Sequence, residues 1–155
     1  GEEQGLLGSR AYAKHLADIN TDIVAMFNSD MLGYKLPTNE VTISYKDRSV
    51  ADWLVEASIA YSTMYLPDYK SGMSSSCCSD YLSFHENGFP AIGFFENTGS
   101  ASDYPHYHTG TDLPAELNAE NFEVLSKAMM ASFLSFAVPD DDAMISANAP
   151  VFERM

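Results

Sequence analysis

Apolar residues follow two kinds of spacing along the chain, and each kind predicts a different element of secondary structure. Helical patterning predicts four helices, over residues 7–16, 50–65, 81–86 and about 119–136. Short apolar runs of strand length predict three strands, over residues 23–27, 41–45 and 91–95. Because helices alternate with strands, the sequence predicts an α/β fold in which helices cover a sheet.

The two longest predicted helices carry candidate core positions. The helix over 50–65 has an approximate apolar face made of Val50, Trp53, Leu54, Ala57, Ile59 and Ala60. The candidate core positions of the last helix are Phe122, Leu125, Met129, Met130 and Phe133. Asn118 is placed to cap the N-terminus of that helix, because an asparagine side chain accepts a hydrogen bond from the first turn.

Two polar segments between these elements predict loops. The serine-rich segment SGMSSSCCSD leads into the helix over 81–86. The segment ENTGSASDYPHYHTGTDLP has no periodicity, and its length is unusual for a compact domain, which indicates a functional loop. The folded domain is predicted to end near residue 137, and residues 138–155 form a polar tail or linker.

Composition narrows the function. The chain has 155 residues, enough for one domain with a hydrophobic core, and a formal net charge of −14. The acidic balance argues against a nucleic-acid partner, and no apolar run approaches the roughly 20 residues that cross a bilayer. Adjacent cysteines form strained bridges, so Cys77 and Cys78 are predicted to be packed residues or free thiols.

Candidate chemistry lies in three polar clusters near predicted strand ends: the Glu2/Glu3 pair, Asp30, and the His106/His108 pair. In α/β sheets, ligands gather where strands run into loops. Carboxylate and imidazole groups are ordinary zinc ligands, and a free glutamate beside zinc can accept a proton from water. Each cluster also has a structural explanation: a helix N-terminus, a turn cap and an exposed loop histidine, respectively.

Four segments, taken in order, resemble one protein family. GEEQGLLGS, NSDMLGY, SDYLSFHENGFPAIGFFE and YHTGTD are similar to motifs of the zinc exopeptidases of peptidase family M28. The resemblance covers residues 1–136 and makes residues 1–137 the C-terminal part of an M28-like peptidase domain. It implies the zinc-exopeptidase (phosphorylase/hydrolase-like) fold, a mixed β-sheet flanked by helices, present here as an incomplete half-domain.

The resemblance also implies residue roles. Glu2 corresponds to the family's general base, Glu3 and His108 to ligands of one zinc ion, and Asp30 to a ligand of a second. The motif places the ligand histidine directly before a threonine, which selects His108 over His106.

The resemblance further implies the substrate and the missing parts of the site. The expected function is a di-zinc aminopeptidase that hydrolyses the N-terminal residue of peptides, in an extracellular or periplasmic location. Tyr104, Tyr107 and Phe95 are candidates to line the pocket for that residue, although core packing explains Phe95 at least as well.

The family places one histidine ligand and a bridging aspartate upstream of the Glu-Glu motif. This chain would then hold an incomplete site, and the missing half-domain or a second copy would cover an exposed sheet edge.

Other functions stay open at the sequence level. A glutaminyl cyclase of the same family would use one zinc ion to close an N-terminal glutamine. A carboxypeptidase is a further possibility, and so is a catalytically silent fragment or binding domain. Three features depart from the family pattern. Tyr81 stands where a histidine is common, and Ser76 lies near the position of an oxyanion-stabilising tyrosine in some relatives. Cys77 and Cys78 do not reproduce the spaced disulfide of some relatives.

Overall fold

A computed structural model describes residues 1–34, 40–46, 48–75, 79–96 and 104–137. In chain order the helices are α1 (Leu7–Asp18), α2 (Arg48–Tyr65), α3 (Tyr81–Glu86) and α4 (Ala119–Ala137). The strands are β1 (Met26–Ser29), β2 (Glu40–Ser44), β3 (Lys70–Ser74) and β4 (Ala91–Glu96). A 3-10 turn, Pro114–Glu116, precedes α4.

The four strands form one mixed sheet in the order β1-β4-β2-β3. β1 runs parallel to β4 and β2 parallel to β3, whereas β2 and β4 are antiparallel. Parallel neighbours need long crossover connections, and α2 supplies the one between β2 and β3. The predicted mixed sheet flanked by helices is therefore confirmed.

Helices cover both faces of the sheet, and β4 shows why. Its six residues are all buried. Ile92 and Phe94 pack on one side in a cluster with residues of α2 and α4. Ala91 and Phe95 pack on the other side in a cluster with residues of α1 and α3. Because neighbouring side chains on a strand point to opposite faces, a fully buried strand requires a helical layer on each face.

The strand predictions were partly wrong. β1 begins at Met26 and ends at Ser29, later than the apolar run at 23–27, so it includes the polar Asn28. The serine-rich segment was predicted to be a loop, yet its first residues belong to β3, which pairs with β2. β3 lies at the sheet edge with mostly exposed or half-buried residues, so its sequence lacks the apolar pattern of a core strand.

The cap of α4 is confirmed, but several of its predicted core positions are wrong. The Asn118 side-chain oxygen accepts a hydrogen bond from the Asn121 N–H at 3.0 Å. Leu125 is buried, but Phe122, Met130 and Phe133 are 50%, 43% and 44% exposed. The buried positions are Val124, Leu125, Ala128 and Ser132, and two of these, Ala128 and Ser132, are small. Small side chains allow close approach to the neighbouring helix, and this packing selects the buried face.

The core face predicted for α2 also needs a correction. Leu54 and Ala57 are buried as expected, but Trp53 is 42% exposed. Its indole packs edge-on against Phe136 of α4, with ring centroids 5.4 Å apart. Trp53 therefore covers the α2–α4 contact from the outside instead of filling the core.

Some predictions concern segments beyond the described residues, namely Ser76, Cys77, Cys78 and the tail 138–155. Among the helices in the described ranges, none combines the length and the hydropathy needed to cross a membrane.

Candidate functional site

The carboxyl ends of β1 and β4 lie side by side because these strands are parallel. Asp30 follows β1 directly, and its N–H donates to the carbonyl of Phe94 on β4 at 3.3 Å. The Asp30 carboxylate accepts a hydrogen bond from the N–H of Met31 at 2.7 Å. This short-range bond fixes the side chain at the sheet edge where ligands gather in such folds.

A tight turn before α1 positions Glu2 and Glu3. The N–H groups of Gly5 and Leu6 both donate to the Glu2 carbonyl, at 3.0 and 2.8 Å. Gly5 and Leu6 have φ values of 95° and 62°, so the chain reverses sharply before it enters the helix. Leu6 is buried and anchors the turn. The two glutamates therefore precede α1, whose first residue is Leu7.

The third cluster lies on consecutive turns between β4 and α4. The Tyr107 N–H donates to the Tyr104 carbonyl, and the Thr109 N–H donates to the His106 carbonyl, both at 3.1 Å. His108 has φ 54°, a left-handed conformation that is uncommon for a non-glycine residue. Its Nε2 lies 2.8 Å from a carboxylate oxygen of Glu3. The Tyr107 ring stacks on the His108 ring with centroids 3.8 Å apart.

The pKa of Glu2 shows that other acidic groups lie close to it. Burial raises the pKa of Glu2, and the negative charges of Asp30, Glu3 and Asp80 raise that pKa further, whereas His108 lowers it. Repulsion of this kind favours the protonated carboxyl group. Burial also raises the pKa of Tyr107, with further increases from Glu3, Asp30 and Glu2. Glu2, Glu3, Asp30 and His108 therefore lie near one another, and their roles in a metal site stay a prediction.

His106 lies outside this site. Its Nδ1 is 2.9 Å from the Thr111 hydroxyl, and its Nε2 is 3.4 Å from a Glu116 carboxylate oxygen. The Thr109 hydroxyl donates to the His106 carbonyl at 2.8 Å. His106 therefore holds the loop together, and His108 is the histidine that contacts Glu3.

The three residues expected to line a substrate pocket have different environments. Phe95 is buried with 8% exposure and packs edge-on against Tyr81 in the core. The Tyr104 hydroxyl donates to the Asp112 carboxylate, and its ring contacts the Tyr34 ring at 4.5 Å. Tyr107 is exposed beside His108. Of the three, Tyr107 is nearest to the clustered charges, and the pocket assignment stays a prediction.

Three polar residues at the site were missed as candidates, although two of the recognised motifs contain them. Asp80, directly before α3, acts electrostatically on Glu2. Asn28 in β1 accepts a hydrogen bond from the Tyr81 N–H at 3.0 Å, which ties the start of α3 to β1. Glu96 ends β4 and is buried. Asn28 lies two positions before Asp30, and that spacing was the available signal for it.

The donor set suits zinc but is incomplete. The facing carboxylate of Glu3 and imidazole of His108 are ordinary zinc donors, and Asp30 adds a carboxylate nearby. Within the described part of the chain, no three His, Cys, Asp or Glu residues are grouped closely enough to hold a metal ion. Protein zinc sites use at least three protein ligands, so these residues fit a zinc site only with further ligands.

Comparison of sequences connects this site with known proteins. Residues 1–133 match the profile of peptidase family M28. The chain is 28% identical to leucine aminopeptidase 1 of Grosmannia clavigera, across 96% of the chain and 37% of that protein. It is 32% identical to a probable leucine aminopeptidase of Arthroderma otae, across 76% of the chain and 32% of that protein. The chain thus spans about a third of the length of these relatives.

Solved structures share the fold. An aminopeptidase from Aneurinibacillus sp. strain AM-1 superposes with a TM-score of 0.69 at 26% identity, across 87% of the chain and 31% of that protein. BSAP, a zinc aminopeptidase from Bacillus subtilis, gives a TM-score of 0.76 at 24% identity, across 88% of this chain and 34% of that protein. Porphyromonas gingivalis glutaminyl cyclase gives a TM-score of 0.66 at 18% identity, across 89% of this chain and 49% of that protein. The last two similarities concern the fold alone.

Proposed function

Because this chain belongs to peptidase family M28, we propose that it forms part of a zinc-dependent aminopeptidase, which removes the first residue of peptides. The observation that carries the proposal is the Glu3–His108 contact of 2.8 Å, with Glu2 and Asp30 close by. Distant segments of the chain supply these four residues, and their shared chemistry is that of zinc ligation and proton transfer. Family members that are leucine aminopeptidases support the same reaction class.

The proposed site holds two zinc ions. Glu3 and His108 are proposed ligands of one ion, and Asp30 is a proposed ligand of the other. A segment outside this chain would supply the remaining ligands, which is consistent with its span of 37% of a relative's length. When bound, zinc polarises a carbonyl group and lowers the pKa of a coordinated water molecule.

The chain's own residues would act on protons and on the substrate N-terminus. The Glu2 carboxylate accepts a proton from the attacking water and delivers it to the departing amine. Asp80, which is not a proposed zinc ligand, raises the pKa of Glu2 and favours this proton uptake. The negative charges of Glu2 and Asp80, which are not proposed zinc ligands, attract the positively charged N-terminus of a peptide, which favours cleavage at that end.

The test uses the full-length protein and measures bound zinc together with hydrolysis of leucine p-nitroanilide. We expect Glu2→Gln to retain zinc and to lower kcat by about 10²- to 10⁴-fold, the usual contribution of a general base. Glu120→Gln, an exposed change at the start of α4, is the matched control and should leave kcat unchanged. An unchanged kcat in Glu2→Gln would refute the assigned role of Glu2.

A second candidate is a glutaminyl cyclase that uses one zinc ion. The Porphyromonas gingivalis glutaminyl cyclase shares the fold, so the fold is compatible with this activity. Conversion of an N-terminal glutamine to pyroglutamate, with one zinc ion per protein and no peptide hydrolysis, would select this alternative. Absence of both zinc and turnover in the full-length protein would select the binding-domain alternative. An extracellular or periplasmic location is proposed as well, and fractionation of the source cells would test it.

A further inference from the structure

The buried carboxylate of Glu96 contacts the backbone that follows Asp30. Glu96 is 6% exposed and ends β4. One of its oxygens accepts a hydrogen bond from the Gly33 N–H at 3.0 Å, and the other accepts one from the Tyr34 N–H at 3.1 Å. A carboxylate that binds two successive N–H groups fixes both the position and the direction of the backbone between them.

The segment from Asp30 to Tyr34 belongs to no helix or strand that could hold it in place. Met31 has φ 52° and Gly33 has φ 99°, so two of its residues adopt left-handed conformations. Left-handed backbone is unfavourable for a residue such as methionine and persists only when surrounding contacts enforce it. The two hydrogen bonds to Glu96 are such contacts.

The far end of the same segment reaches the loop that carries His108. The ring of Tyr34 contacts the ring of Tyr104 in this loop, with ring centroids 4.5 Å apart. The Tyr34 carbonyl also accepts a hydrogen bond from the side chain of Asn121 in α4 at 2.8 Å. Tyr104 in turn donates to Asp112. The Asp30–Tyr34 segment therefore connects the Asp30 end of the site with the His108 loop. Glu96 holds this segment through its hydrogen bonds with Gly33 and Tyr34.

We propose that Glu96 is a positioning residue for the metal site, because its carboxylate fixes the segment that carries Asp30 and abuts the His108 loop. The proposal rests on the proposed function, since it concerns the same proposed ligands. Two oxygen acceptors are needed, and glutamine has only one. In Glu96→Gln the side-chain NH₂ would face a backbone N–H, so one hydrogen bond is lost although the shape of the side chain is kept.

The test measures metal binding in the full-length protein, with Zn²⁺ in competition with a chromophoric chelator and with the visible absorption spectrum of bound Co²⁺. We expect Glu96→Gln to weaken Zn²⁺ binding by about 10- to 100-fold, which is usual for residues behind metal ligands. The Co²⁺ spectrum should change because Asp30 no longer holds its position. Glu86→Gln, an exposed change at the end of α3, is the matched control and should bind like the wild type.

A second control separates positioning from general stability. Val55→Ala removes buried volume in α2 and lowers the melting temperature, but it should leave Zn²⁺ affinity within about threefold, because it touches no group behind the ligands. If wild type binds zinc and Glu96→Gln binds it equally, with the same Co²⁺ spectrum, the proposal is overturned while the proposed function stands. If wild type binds no zinc, the proposed function fails first.

Glu96→Gln could prevent folding, so a measurement on the wild type keeps the proposal open to refutation. Amide hydrogen exchange at Gly33 and Tyr34 should be much slower than at the exposed loop residue Gly110. Exchange as fast as that of Gly110 would show that Glu96 does not hold this backbone, and would overturn the proposal.

Discussion

Glu3 and His108 lie in separate, distant segments of the chain, yet a carboxylate oxygen of Glu3 is 2.8 Å from Nε2 of His108. Glu3 lies in the tight turn before α1. His108 lies in the loop before α4, where its own backbone is left-handed. Folding therefore assembles a carboxylate–imidazole pair that neither segment could form alone.

The two histidines of this loop should differ in their effect on metal binding. We expect His108→Ala in the full-length protein to lower Zn²⁺ affinity by at least about 100-fold, because it removes a proposed zinc ligand. His106→Ala should lower it by less than about tenfold, because His106 contacts only Thr111 and Glu116 within the loop. Isothermal titration with Zn²⁺ measures both.

The control for the histidine experiment is His15→Ala, an exposed change near the end of α1. It should leave the affinity unchanged. Equal losses in His108→Ala and His106→Ala would show that the whole loop, and not one ligand, determines binding.

Gly33→Ala should destabilise the fold more than Gly88→Ala. Both glycines have positive φ values, 99° and 85°. A Cβ at Gly33 would lie 3.3 Å from the Cβ of Phe122, whereas a Cβ at Gly88 would meet nothing within 4 Å. We expect about 1 kcal/mol of destabilisation for Gly88→Ala, from backbone strain, and about 2 to 3 kcal/mol for Gly33→Ala. Urea denaturation measures the difference, and equal losses would show that crowding at Phe122 is relieved without cost.

Glu96 should make stability depend on pH in a direction opposite to that of most acidic residues. Burial raises the pKa of Glu96 to about 7 from 4.5, although the N–H groups of Gly33 and Tyr34 oppose the increase. Between these two pH values the folded chain keeps a proton that the unfolded chain has lost, so raising the pH destabilises the fold. At about 1.4 kcal/mol per pH unit, the loss is at most about 3.5 kcal/mol.

Unfolding free energies of wild type and Glu96→Gln between pH 4 and 8 test this effect. The favourable contribution is present below pH 4.5 and disappears as the pH rises through about 7. Glu96→Gln should lack this component, and Glu86→Gln should retain it. Parallel pH profiles of wild type and Glu96→Gln would contradict the expectation.

Amide exchange at β1 should reveal what covers the sheet edge. The Met26 N–H donates to the Pro90 carbonyl directly before β4 at 2.8 Å, and the Asp30 N–H donates to the Phe94 carbonyl in β4 at 3.3 Å. The N–H groups of the alternate residues Phe27 and Ser29 therefore point away from β4. Within the described ranges β1 pairs only with β4. We propose that the segment outside this chain pairs with this edge, and in the full-length protein Phe27 and Ser29 should exchange slowly. Rapid exchange would contradict this pairing, and protection that depends on protein concentration would indicate a second copy instead.

Local sequence signals predicted the helices well because each depends mainly on nearby residues. The helix over 81–86 and the Asn118 cap were both placed from patterns a few residues long. β3 was missed because an edge strand with serine, glycine and methionine carries no core pattern, and only its pairing with β2 makes it a strand. The core positions predicted for α4 were partly wrong for a related reason, because packing against α2 selects which face of the helix is buried.

The sequence by itself determined the α/β fold class and the M28 family, because periodicity and short motifs encode them, and the same motifs nominated Glu2, Glu3, Asp30 and His108 as site residues. Only the tertiary structure decided that Glu3 meets His108 and that Glu96 supports the backbone after Asp30. Those relationships depend on which distant segments meet at the ends of β1 and β4. A one-dimensional pattern cannot specify such contacts, because they arise when parallel pairing brings two strand ends to the same edge of the sheet.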